Sequence, residues 1–145
     1  MKYVLIAVAE MRGGVEKELF DQYKCRLSRP LTIIELKQRN SPEAEGLDIL
    51  KHIMPNDWVC VLDERGVSVS SRDLAGVIAE AEQSYKRLIF VIGGAEGLAP
   101  AVRARANYIL SFGKLTWPHL LVRGLLTEQL YRCQQIAINH PYHRD

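Results

Sequence analysis

The chain has 145 residues, 48% of them hydrophobic and 25% charged, with a formal net charge of +2 at pH 7. That balance excludes a disordered chain and strong phosphate-driven binding to nucleic acid, and it suits one domain spanning residues 1–145 around a single core. Three cysteines, Cys25, Cys60 and Cys133, are too scattered for a disulfide framework or a metal knuckle, which predicts a cytoplasmic protein.

No run approaches transmembrane length, so no membrane partner is expected. The opening "YVLIAVA" is too short for a signal peptide and has no small-x-small cleavage site after it. It reads instead as a strand buried on both faces. Val15, Leu19, Tyr23 and Leu27 recur at helical spacing in the next segment, so residues 13–27 are predicted helical. "LTIIEL" is a second strand, followed by a polar loop and a short helix over roughly 42–52. "WVCVLD" is a third strand, and "ERGVSVSS" a turn with a short extended piece. Ser71 or Asp73 is placed to cap the helix that contains "LAGVIAEAEQSYK". "RLIFVIGG" is a fourth strand running into glycines, "PAVRARA" a short helix, and "NYILSFG" a fifth strand. Residues 116–138 form a long last helix with Pro118 in its first turn. Strands alternating with helices predict an α/β protein with a mostly parallel sheet, whose ligands bind at the carboxyl ends of the strands.

Three of those strand ends carry unusual residues. Gly93, Gly94 and Gly97 follow the fourth strand, where glycine lets backbone amides approach a ligand; a tight strand-to-helix turn explains them equally well. The spacing fits neither a dinucleotide fingerprint nor a P-loop. "SFGKLTWPH" offers backbone groups and the apolar side chains of Leu115 and Trp117 to an adenine, although Trp117 also suits a core and Thr116 a helix cap.

In the last helix Val122, Leu126, Leu130, Cys133 and Ala137 form a buried stripe, with Arg123, Thr127, Glu128, Tyr131, Arg132 and Gln135 on the other faces. Glu128 and Arg132 are an i, i+4 pair, the spacing of an ordinary surface ion pair. From residue 99 onward the basic side chains are Arg103, Arg105, Lys114, Arg123, Arg132 and Arg144, against Glu128 and Asp145 alone. This basic zone suits either an anionic partner such as RNA or a solvated face. The chain closes on "INHPYHRD". His140 and His143 have metal-ligand spacing but no Cys, Asp or Glu cluster beside them, so no metal is predicted. By composition alone such a terminus frays.

"IGGAEGL", "LTWPHLLVR", "EQLYR" and "HPYHRD" occur in that order over residues 91–145. Together they resemble the RlmH family of SPOUT-class RNA methyltransferases. The resemblance implies a parallel α/β sheet with helices on both faces and a C-terminal trefoil knot, working as a homodimer. It implies S-adenosylmethionine as cofactor and methylation of N3 of a pseudouridine in large-subunit (23S) ribosomal RNA, within the assembled ribosome or large subunit. Carried over by position, Leu62, Gly93, Gly94 and the loop Phe112, Gly113, Lys114, Leu115, Thr116 and Trp117 would contact the cofactor. Glu128, Arg132, His143 and Arg144 would lie near the methyl-transfer site. The tail would then be ordered and packed close to the cofactor loop. Two other readings stay open: a SPOUT methyltransferase of another RNA base, and a non-catalytic ribosome- or nucleotide-binding module.

Overall fold

The computed structural model describes residues 1–145. Its elements in chain order are β1 (Lys2–Val8), α1 (Val15–Lys24), β2 (Leu31–Leu36), α2 (Pro42–Leu50) and β3 (Trp58–Val67). They continue with α3 (Ser71–Ser84), β4 (Arg87–Ile92), α4 (Pro100–Arg105), β5 (Tyr108–Leu110) and α5 (His119–Ala137). The five strands form one sheet in the order β2-β1-β4-β3-β5, and every pairing is parallel.

Parallel strands covered on both faces need apolar side chains at every position, and β1 shows this directly. Tyr3, Leu5 and Ala7 point into one core with Phe20 of α1, Leu74 and Ile78 of α3, and Leu126 and Leu130 of α5. The alternate residues Val4, Ile6 and Val8 point into a second core with Ile49 of α2 and Val102 of α4. Helices α1, α3 and α5 therefore cover one face, and α2 and α4 the other.

Several boundaries differ from expectation for local reasons. Helix α3 is capped by Ser70, not by Ser71 or Asp73; Asp73 instead closes a capping box by accepting from the Ser70 amide. Strand β3 continues to Val67, and both Leu62 and Val67 pair with Leu110, so residues 63–66 bulge away from β5 at the strand's carboxyl end. Helix α5 starts at His119 with Pro118 as its cap residue rather than in its first turn. The stripe Val122, Leu126, Leu130 and Cys133 is buried as expected, whereas Ala137 is exposed. Arg123 and Thr127, expected on faces other than the buried stripe, are both completely buried. Thr127 manages this by donating its hydroxyl to the Arg123 carbonyl at 2.7 Å.

Candidate active site

The carboxyl ends of β3, β4 and β5 open into a cavity of about 650 Å³. Leu62 contributes from β3, Gly93 and Gly94 from the turn after β4, and Phe112, Gly113, Leu115, Thr116 and Trp117 from the loop before α5. Of the expected cofactor-contact residues, only Lys114 does not line this cavity. Helix α5 closes one side with His119 and Val122. Burial, then the nearby Arg123 charge, lowers the pKa of His119, so its imidazole is neutral at neutral pH.

The glycine turn after β4 is both a tight turn and a cavity wall. A Cβ on Gly93 would sit 2.9 Å from the Gly97 carbonyl oxygen and 2.9 Å from Leu98 Cδ2, so no other residue fits without a shift. The loop after β5 is organised by Ser111, which sequence reasoning passed over. Its buried hydroxyl donates to the Glu64 or Gly113 carbonyl, both at 3.1 Å, and accepts from the Gly113 amide at 3.0 Å. Gly113 itself has φ +107°, a left-handed conformation that suits glycine. Trp117 is 41% exposed and Thr116 caps no helix, so neither serves the core or cap role that the sequence allowed. The Trp117 indole N–H lies 3.4 Å from the Phe112 carbonyl and closes the loop on itself.

Arg123 is the second residue that periodicity missed. Its Nη1 donates to Glu35 Oε2 at 2.6 Å, and its Nη2 donates to the carbonyls of Val8 at 2.8 Å and Ala9 at 2.6 Å. The same Glu35 oxygen accepts from the Met11 amide at 2.8 Å. A buried cation is tolerated when paired and hydrogen-bonded in this way. Arg123 thus pins the start of α5, with the cavity residues His119 and Val122, to the carboxyl ends of β1 and β2.

A second hollow of about 540 Å³ shares Leu110, Phe112, Gly113 and Trp117 with the first and is bordered by Glu128. Glu128 Oε1 accepts from Arg132 Nε at 3.0 Å and Nη2 at 2.5 Å, and from the Tyr142 hydroxyl at 2.8 Å. This is more than a solvated surface pair, because the Arg132 and Glu128 side chains are only 25% and 16% exposed. The hydrogen bond to Glu128 raises the pKa of Arg132, and burial followed by Tyr23 and Glu128 raises that of Tyr142. His143 sits between Arg132 and Asp145, and Asp145 pairs with Arg72 at the start of α3 at 2.8 Å. The tail is therefore docked rather than frayed. Residues 142–145 line neither hollow, and their link to the loop runs through Glu128. Arg144 is exposed and its side chain has no hydrogen bond or ion pair within the chain. His140 accepts from the Tyr142 amide, and no group of three or more His, Cys, Asp or Glu is arranged to hold a metal ion.

A doubly covered parallel sheet, with its cavity at the strand carboxyl ends and its last helix as a cavity wall, defines an α/β protein of the kind that binds a small ligand at that edge. Comparison with known proteins narrows the class. A family model described as predicted SPOUT methyltransferase matches residues 1–143, and the chain belongs to this family. The chain is 43% identical over 151 residues to the ribosomal RNA large subunit methyltransferase H of Rhodospirillum centenum, covering 99% of both chains. To the protein of the same name from Rhodospirillum rubrum it is 42% identical, again over 99% of both. A solved structure of a probable methylase family protein from Haemophilus influenzae has the same fold, with a TM-score of 0.59 at 12% identity over 94% of this chain and 66% of that one. The SpoU methyltransferase AviRb of Streptomyces viridochromogenes, solved with AdoMet, gives a TM-score of 0.51 at 12% identity over 93% of this chain and 60% of AviRb. No helix is long and apolar enough to cross a membrane.

Proposed function

We propose that the protein is an S-adenosylmethionine-dependent methyltransferase of large-subunit ribosomal RNA, acting on N3 of a pseudouridine in the assembled particle. It works as one cytoplasmic domain over residues 1–145, dimerises with a second copy, and has the knotted C-terminal path of its class. The observation that carries the reading is end-to-end identity of about two-fifths with proteins named ribosomal RNA large subunit methyltransferase H. Convergence of Leu62, Gly93, Gly94 and the 112–117 loop on one cavity supports it.

The cavity suits the cofactor. Leu62, Leu115 and Trp117 offer apolar walls, and the Gly93 turn admits close backbone approach. When bound, S-adenosylmethionine supplies an electrophilic methyl group. N3 of pseudouridine lies between two carbonyls and becomes a good nucleophile once its proton leaves, with charge spreading to the flanking oxygens. Arg144, free of partners within the chain, donates hydrogen bonds to those oxygens. Glu128 and Arg132 orient the tail that carries it, and His143 fixes the tail through both ring nitrogens. The modest net charge of +2 favours weak binding to naked RNA and efficient turnover only on assembled particles.

Mass spectrometry of large-subunit RNA from a strain lacking the protein tests this reading. The expected result is loss of one methyl group from one pseudouridine, restored by the wild-type protein. An unchanged methylation pattern overturns it. Calorimetry with S-adenosylmethionine separates the enzyme, which binds, from a non-catalytic module, which does not.

A further inference from the structure

Three tyrosines that the proposed chemistry leaves unused or half-used meet behind the tail. Tyr23 of α1 and Tyr131 of α5 have ring centroids 6.1 Å apart. Tyr131 and Tyr142 are 4.7 Å apart at 78°, an edge-to-face pair. The Arg26 guanidinium lies over Tyr23 at 5.3 Å and over Tyr131 at 5.9 Å, and that of Arg132 over Tyr142 at 4.7 Å. All three rings are half-buried. The Tyr131 hydroxyl makes no hydrogen bond within the chain, so this residue contributes its ring.

The other fastenings of the tail are polar. Among side chains they are the Tyr142 hydroxyl on Glu128, His143 against Arg132, and Asp145 on Arg72. The last pair is 69% and 54% exposed, and exposed ion pairs are weak and fade with salt. Packing of aromatic rings does not fade in that way. Helix α5 therefore grips Tyr142 twice from neighbouring positions, with a cation at Arg132 and a ring at Tyr131.

We infer that Tyr131, backed by Tyr23 and Arg26, is a positioning residue for methyl transfer: it holds Tyr142, and through it His143 and Arg144, against α5. It lines neither hollow. This inference rests on the proposed role of the tail in the reaction.

Full-length Tyr131→Ala and Tyr131→Phe are compared with wild type in three assays. These are methylation of large subunits from a strain lacking the protein, calorimetry with S-adenosylmethionine, and carboxypeptidase trimming at low and high salt. Tyr131→Ala should lose on the order of tenfold in kcat with unchanged cofactor affinity. Its tail should be trimmed faster than wild type, most of all at high salt, while Tyr131→Phe matches wild type throughout. Tyr131→Ala in a Tyr142→Ala background should add no further loss. Wild-type kcat and trimming in Tyr131→Ala overturns the inference, as does a loss that follows cofactor affinity or that phenylalanine fails to rescue. Full methylation by Arg144→Ala would overturn the tail's role in the reaction instead, and trimming still reports whether Tyr131 holds the tail.

Discussion

His143 Nδ1 lies 3.2 Å from Arg132 Nη1, and this contact sets the tautomer of the imidazole. A guanidinium only donates, so Nδ1 must accept and Nε2 carries the hydrogen, directed at Asp145 Oδ1 3.0 Å away. Both nitrogens are engaged, which leaves no free lone pair for a substrate proton. His143→Gln keeps an acceptor and a donor, and it should lower kcat by less than about tenfold. Its pH–rate profile should keep the acid limb of the wild type. Loss of that limb would make His143 the proton acceptor.

Arg144 differs from every other cation of the tail region in having no partner inside the chain. Arg144→Ala should reduce kcat by about 100-fold or more, the scale of a lost donor to a developing oxyanion. Deleting residues 142–145 should abolish methylation. Calorimetry should find cofactor affinity close to wild type in both variants, because residues 142–145 lie outside the cavity wall.

Gly93 cannot acquire a side chain without moving the Gly97 carbonyl. Gly93→Ala should cost roughly 1–3 kcal/mol of stability, as overpacking does, and weaken S-adenosylmethionine binding at the same time. Urea unfolding and calorimetry on one preparation check both effects. Normal affinity in a destabilised protein would separate the turn from the ligand site.

Removing the Arg123 side chain leaves the buried Val8 carbonyl and the half-buried Ala9 carbonyl without their donor and Glu35 without its cation. Arg123→Ala should therefore destabilise by about 3–5 kcal/mol, measured by urea unfolding. Arg123→Lys should recover only part of the loss, since a single ammonium cannot reproduce the planar fork.

Cys25 is exposed, whereas Cys60 and Cys133 are buried, and burial pushes the Cys133 thiol up to about 12. A disulfide reagent at pH 8 should titrate one thiol per native chain, and all three after denaturation. Reaction of a second thiol at the native rate would mean that α5 opens from α3 in solution.

The sheet was legible because a strand covered on both faces must be apolar throughout, and "YVLIAVA" or "RLIFVI" can be little else. The bulge in β3 was not, because its polar residues read as a turn and only pairing with Leu110 reveals a strand. Helical periodicity sorts residues by type and so puts Arg123 outside the buried stripe. Its burial depends on carbonyls at the end of β1 that only the folded chain brings beside it. The cavity's glycines, Phe112 and Trp117 were readable as strand-end residues, and the family motifs grouped them. Ser111 was not, since a lone serine after a strand carries no signal until its three backbone partners are known. The tail's place on Tyr131 and Tyr23 joins opposite ends of the chain and has no local signature.

The Arg123 bond to the Val8 carbonyl spans 115 positions, and Ser28 meets Gln134 across 106. The face shared by α1 and α5 is therefore completed only by a segment more than a hundred positions downstream of α1. Before α5 docks, β1 and α1 lack the Val122, Leu126 and Leu130 side of their shared core. Such distant closure slows folding and prolongs exposure of apolar surface until α5 docks.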